Sequence, residues 1–214
     1  MGVASRRQRE KNERREEILD AAEQVFFAGG YQASTMDDIA QAVELSKGAL
    51  YLYFKSKDEL YLGIVTRHQA RLVAALEKDT QRGLDGLALF RAVAETFVRH
   101  ARENPDHTRM VLTYLATGQQ VPSDTPVWEL HRQLAERELQ IVLSSLELGM
   151  RDGSMRPDVN AKEVAMHLWG GLMGMLLLEI NEERMREALD DPPEPSISKF
   201  VDLLTRDIAA EAAE

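Results

Sequence analysis

Apolar residues recur at three- and four-residue intervals along almost all of this 214-residue chain. No segment alternates with the period of two that a half-buried strand requires. The pattern therefore predicts an all-α protein of about nine helices with no fixed internal repeat. The first helix is expected over Asn12–Ala28, with Ile18, Leu19, Ala22, Val25 and Phe26 on its apolar face and Gly29-Gly30 stopping it. A short second helix follows, capped by Ser34 or Thr35, with Asp37 and Asp38 in its first turn and Met36, Ile39, Ala40 and Val43 on one side. A tight break at Glu44-Leu45 leads to a third helix, Lys47 to Phe54, capped by Ser46. Ser56-Lys57-Asp58-Glu59 has capping-box spacing and opens a long fourth helix over 57–80.

Beyond Gly83 the same reasoning predicts helices over 84–103, 105–117, 126–151, 161–183 and 196–210. A polar loop is expected at Gly118–Thr125, and an acidic, proline-rich connector at Asp190–Pro195.

A long helix followed by two short ones around a tight break has the spacing of a helix-turn-helix. A generic helical hairpin has it too. The residue types distinguish the two. Ser46, Lys47, Gly48 and Ala49 place a hydroxyl, a cation and two small residues at one helix start, where backbone amides meet phosphate and a groove is approached closely. Leu50 and Phe54 anchor that helix. Tyr51 and Tyr53 either reach DNA with their hydroxyls or pack with a wet hydroxyl.

A net charge of −10 argues against a nucleic-acid partner only if it is evenly spread, and it is not. Residues 1–67 carry 10 basic and 11 acidic side chains, residues 68–214 carry 16 and 25, and residues 1–15 alone hold six basic against two acidic. Local charge, not the total, decides whether one face meets phosphate. Arg6, Arg7, Arg9, Lys11, Arg14 and Arg15 form either a DNA-contacting tail or a solvated leader.

In combination these residues resemble the TetR family of bacterial transcriptional regulators. The resemblance rests on Ile18-Leu19-Asp20-Ala21-Ala22, Phe26 to Tyr31, Thr35-Met36-Asp37-Asp38-Ile39-Ala40, and Leu45 through Phe54 followed by Lys55-Ser56-Lys57-Asp58-Glu59-Leu60. It covers residues 15–62, under a third of the chain. It implies a basic tail at 1–14, a helix-turn-helix domain at 15–62 continuing into the fourth helix, and a ligand-binding and dimerisation domain at 63–214. By position it implies phosphate contacts from Thr35 and Lys57, groove contacts from Ser46, Lys47, Gly48 and Ala49, and backbone or base contacts from Tyr51 and Tyr53. It implies a homodimer on a pseudo-palindromic double-stranded operator, its recognition helices about 34 Å apart. It implies repression relieved by a small, largely apolar effector. Activation, or a helical binding protein that has lost DNA binding, are the alternatives. One departure is Glu44, where the family often has glycine.

Within the C-terminal region, 161–183 is apolar on most sides and carries Gly170, Gly171 and Gly174. Three interior glycines weaken a helix, so close approach of a second helix or of a ligand is expected in compensation. With Phe200, Val201 and Leu204 of the last helix they are candidates for a four-helix dimer interface. Met110, Tyr114, Trp128, His131, Met166, Trp169 and Met173 are candidates for an effector pocket, though the same residues at helical spacing also serve as core.

The longest uncharged stretch of that region, Val164–Leu178, has 15 residues against the roughly 20 of a bilayer span. No apolar export signal opens the chain. A cytoplasmic protein without a membrane partner is expected. With no cysteine, five scattered histidines and no nucleophile motif, the sequence points to no metal, cofactor or catalytic site.

Overall fold

The computed structural model describes residues 3–118, 120–189 and 196–210. Among them are ten helices: α1 (Val3–Ala33), α2 (Met36–Ala42), α3 (Lys47–Leu50), α4 (Lys57–Thr80), α5 (Gly86–Glu103), α6 (Pro105–Thr117), α7 (Pro126–Asp152), α8 (Ala161–Ile180), α9 (Glu182–Ala188) and α10 (Ile197–Ile208). The one β feature among the described residues is an isolated bridge, Met155 to Ala209. The acidic connector expected at Asp190–Pro195 lies outside the described residues.

Three boundaries differ from expectation. α1 begins at Val3 rather than Asn12. Its charged start is built of straight-chain residues that pair along the helix, as Arg6 does with Glu10 at 2.8 Å. α3 is α-helical only to Leu50, and tighter turn bonds from Leu52 and Tyr53 carry the chain on to Phe54. The helix expected over 161–183 breaks at Asn181, whose side-chain amide donates to the Leu177 carbonyl at 2.8 Å. The next turns form the separate α9.

The chain divides into two compact units, residues 1–68 with 117–131, and residues 69–116 with 132–214. In the first, Ile18, Leu19, Ala22 and Phe26 of α1 are buried, as are Ile39, Leu50, Phe54, Leu60 and Ile64 of the following elements. α4 comes so close that a methyl group on Gly63 would lie 3.0 Å from Leu19 and 3.3 Å from Phe54. Gly30, at φ 73°, ends the regular part of α1 as expected of glycine. Tyr61 then meets Phe26 and Tyr31 edge to face, with ring centroids 5.1 Å and 4.9 Å away.

In the second unit, Phe90, Leu146, Met155, Ile197 and Ile208 are fully buried among α5, α7, α8 and α10. Each contributes about 1.5–3 kcal/mol by leaving water. α5 meets α7 backbone to backbone: a methyl group on Gly86 would lie 1.9 Å from the Gly149 nitrogen. The open amides of that helix start are taken up by Asp152 at Gly86 (2.8 Å), Ser154 at Leu87 (3.1 Å) and Asp85 at Ala88 (2.8 Å).

The glycine trio of α8 separates by role. A methyl group on Gly171 would lie 2.1 Å from the Phe200 ring, so Gly171 admits α10 of its own chain. Gly170 and Gly174 face open space. Val201, expected at a dimer interface, is buried in this unit's own core, because the stripe Ile197, Val201, Thr205 and Ile208 turns inward. Phe200 and Leu204 pack against that core half-buried. Leu203, one position before Leu204, is the exposed leucine of α10.

Candidate nucleic-acid interface and effector cavity

Local chemistry fixes the start of α2. The Thr35 hydroxyl oxygen accepts from the Asp38 amide at 3.2 Å, while the Asp38 carboxylate accepts from the Thr35 amide at 2.8 Å. The Thr35 hydroxyl also donates to that carboxylate at 2.7 Å, and the two bonds it accepts from Thr35 hold the Asp38 carboxyl below its ordinary pKa. α2 ends in a left-handed turn at Glu44, φ 53°. The Glu44 amide donates to Gln41 at 3.2 Å and the Leu45 amide to Ala40 at 2.9 Å. Those are the two bonds of a Schellman motif, with glutamate where glycine is usual. The turn geometry is therefore intact without glycine, and Glu44 carries the strain of the left-handed conformation.

Ser46 then caps α3, its hydroxyl accepting from the Ala49 amide at 3.2 Å. Leu50 and Phe54 are fully buried, which turns Lys47 and Gly48 outward and leaves Tyr51 and Tyr53 half-exposed. A methyl group on Gly48 would meet nothing within 4 Å. Lys47 is held by Asp37 of α2 at 2.9 Å, a hydrogen-bonded pairing that raises the lysine pKa. Leu52, between the two tyrosines, is 72% exposed.

α1 braces this element from behind. Arg14 donates to the Val43 carbonyl at the end of α2, at 3.2 Å. Arg15 donates to the Tyr53 carbonyl, also at 3.2 Å, with its guanidinium 4.1 Å from the Phe54 ring centre. Burial lowers the Arg15 pKa against the opposing pull of Glu59 and Glu16. Two cations that read as tail residues thus hold the C-terminal ends of both short helices. Lys57, expected at phosphate, is likewise turned inward. Its ammonium donates to the carbonyls of Tyr31 (2.7 Å) and Ser34 (2.9 Å) and lies 4.2 Å from the Tyr31 ring centre. The cap of α4 extends one residue beyond the expected box: Ser56 accepts from the Glu59 amide, while Glu59 reaches back to the Lys55 amide at 2.6 Å.

In the second unit a cavity of about 470 Å³ opens among α5, α7 and α8. Its walls are apolar, with Val93 and Phe97 from α5, Leu139 and Val142 from α7, and Leu168 and Trp169 from α8. Two ionisable side chains line it, Glu138 and Lys162. Burial pushes the Glu138 carboxyl up to about 7, against a hydrogen bond from Gln69 of α4 that acts downward. The Glu138 Oε1 atom is buried without a partner.

Of the seven expected pocket residues, Met166 and Trp169 line this cavity. Met110, Tyr114, Trp128, His131 and Met173 lie outside its lining. Met173 packs on the core of α8 and α10, and Trp128 and His131 belong to the first unit, ring centres 6.1 Å apart. Sequence reasoning missed Glu138, because one charge on an amphipathic helix looks like a solvated face.

Comparison with known proteins bears directly on this arrangement. The family described as bacterial regulatory proteins, tetR family, matches residues 18–64, and the family described as tetracyclin repressor-like, C-terminal domain, matches residues 90–204. The second match alone spans more than half of the chain. This chain belongs to the TetR family.

Among TetR-type relatives, the HTH-type transcriptional activator FasR of Mycolicibacterium smegmatis is 36% identical over 101 residues, covering 47% of this chain and 46% of that protein. The alignment thus spans under half of that relative. The HTH-type transcriptional repressor KstR2 of Rhodococcus jostii is 28% identical over 154 residues, covering 71% and 72% of the two chains. The transcriptional regulator FadR of Bacillus subtilis, solved in complex with stearoyl-CoA, has the same fold, with a TM-score of 0.67 at 14% identity over 92% of this chain and 99% of that one. The protein is a DNA-binding transcriptional regulator with a helix-turn-helix at α2–α3, and the TetR family is made of regulators.

Proposed function

We propose that this TetR-family regulator is a homodimeric, ligand-responsive repressor that reads a pseudo-palindromic operator through α3 and the turn after it. The observation that carries the DNA-reading part is the capped, braced presentation of residues 46–53. Ser46 and Thr35 supply hydroxyls and helix-start amides to phosphate. Gly48 and Ala49 let the backbone enter the major groove. Tyr51 and Tyr53 contact backbone or base edges, and exposed Leu52 adds an apolar contact suited to a thymine methyl. Lys47 exchanges Asp37 for phosphate on binding. Lys57 acts by bracing α1 against α4, not by touching DNA with its ammonium.

The dimer reading rests on α8. It is the helix among the described residues long and apolar enough to cross a bilayer, yet it carries Val164, Ala165, Leu168, Leu172 and Leu176 on a face buried within its own unit. Its other face exposes Met166, Gly170, Gly174 and Leu177 at helical spacing, a stripe with small residues at its centre. A second copy of α8, flanked by Leu203 and Leu204 of α10, covers it in the working molecule, which is cytoplasmic. The effector occupies the cavity among α5, α7 and α8, binds one arrangement of the dimer better than the other, and so lowers operator affinity.

Fluorescence anisotropy against the DNA upstream of the protein's own gene, repeated over a salt series, tests the operator reading. The expected result is tight binding that weakens steeply with salt. Asp37→Asn frees Lys47 and is expected to tighten binding about threefold to tenfold at low salt, since one phosphate contact no longer competes with an ion pair. Lys47→Ala and Tyr51→Ala weaken it while leaving the sedimentation of the dimer unchanged. Unchanged affinity in both of these variants refutes the assignment of α3.

A further inference from the structure

The cavity among α5, α7 and α8 is apolar on nearly every side, and its polar equipment is lopsided. α5 contributes only Val93, Ala94 and Phe97 to it. α4 contributes Leu76, and brings Gln69 against Glu138. α8 contributes one cation, Lys162, which is exposed, so water screens it. Within the wall stands Glu138 of α7, whose Oε1 is cut off from solvent without any donor, as is Oε1 of Gln69. The Gln69 amide supplies Glu138 with one hydrogen bond and no charge. Burying a carboxylate under these conditions is costly, and the cost is removed by a partner that brings both a donor and a positive charge.

We infer that this cavity selects an apolar amine, whose protonated nitrogen pairs with the Glu138 carboxylate while its hydrocarbon fills the space against Phe97, Leu139 and Trp169. The inference rests on the cavity being the effector site proposed above. An alcohol offers Glu138 a hydrogen bond without charge compensation. A carboxylate places like charges together and is disfavoured there. The amine stays protonated throughout the neutral range, as a lysine side chain does. Its affinity therefore follows the ionisation of Glu138, whose midpoint near 7 puts the change between pH 6 and pH 8.

The test is isothermal titration calorimetry of the full chain with decylamine, decanol and decanoate, at pH 6 and pH 8, on the wild type and on Glu138→Gln. At pH 8 decylamine is expected to bind at least about tenfold more tightly than the other two, and to lose about tenfold in affinity at pH 6. Glu138→Gln is expected to abolish both the amine preference and its pH dependence while still binding decanol, which also shows that the variant is folded. Decanoate binding as tightly as decylamine, or an amine affinity indifferent to Glu138→Gln, overturns the inference and leaves the effector cavity standing. Amine binding that leaves operator affinity untouched does the reverse: it supports the amine site and removes the effector reading. No binding of any of the three to the wild type overturns both.

Discussion

The guanidinium of Arg15 donates to the backbone carbonyl of Tyr53, 3.2 Å away, and so ties α1 to the turn after α3. Because the same group lies over the Phe54 ring, one side chain holds both the backbone and the anchor of that segment. Arg15→Met keeps the apolar stem and removes the rest. It is expected to cost about 2–4 kcal/mol of stability, the sum of a charged hydrogen bond and a cation–π contact. Operator affinity is expected to fall with it, because the turn after α3 loses its brace. Urea unfolding and anisotropy on the same variant check the two effects together.

Glu44 carries the left-handed turn between α2 and α3 at φ 53°. Relieving that backbone strain with Glu44→Gly stabilises the protein by up to about 1 kcal/mol, partly offset by the greater freedom of glycine in the unfolded chain. For a chain of this length the melting temperature rises by about 2–4 °C. DNA binding is expected to tighten as well, because an exposed acid leaves the proposed DNA-reading face. A melting temperature that falls contradicts the assignment of strain to this residue.

Adjacent glycines of α8 give opposite outcomes. Gly171→Ala drives a methyl group into the Phe200 ring and is expected to cost about 1–3 kcal/mol by overpacking. Gly170→Ala meets nothing within its own chain and gains up to about 1 kcal/mol of helix propensity per protomer. In the proposed dimer the same methyl group lies where the second α8 approaches, so sedimentation should show weaker association even as the helix itself is strengthened. Equal effects at the two positions contradict this division.

Glu138 titrates near 7 when folded against an ordinary 4.5, a rise caused chiefly by burial. A carboxyl whose folded pKa is raised binds its proton more tightly when folded than when unfolded. Its contribution to stability is therefore complete below about pH 4.5 and is lost as pH rises through 7. The difference is about 3 kcal/mol. Glu138→Gln removes this component, so the gap in unfolding free energy between variant and wild type should widen in the variant's favour from pH 5 to pH 8. Urea titrations of both proteins at the two pH values measure it.

What the sequence determined by itself is local. Helix periods, caps and breaks follow from neighbouring residues, which is why α2, α4, α6 and α7 lie within a residue or two of their expected positions. The register Ser46–Lys47–Gly48–Ala49 with Leu50 and Phe54 inward is likewise written into spacing of three and four, whereas the expectation that α3 reads DNA rested on residue types and on the family resemblance. What only the tertiary structure decided is the fate of side chains whose partners lie far along the chain. Arg14, Arg15 and Lys57 look like free cations in the sequence, but carbonyls 23 to 38 residues away claim them. Gly171 differs from Gly170 and Gly174 only because Phe200 arrives from another helix. Glu138 becomes a buried carboxyl with a perturbed proton affinity only when the walls of α5 and α8 exclude water from it. Hydrogen-bond caps and helical periods act over one or two turns, whereas desolvation and close approach depend on atoms that only folding brings together.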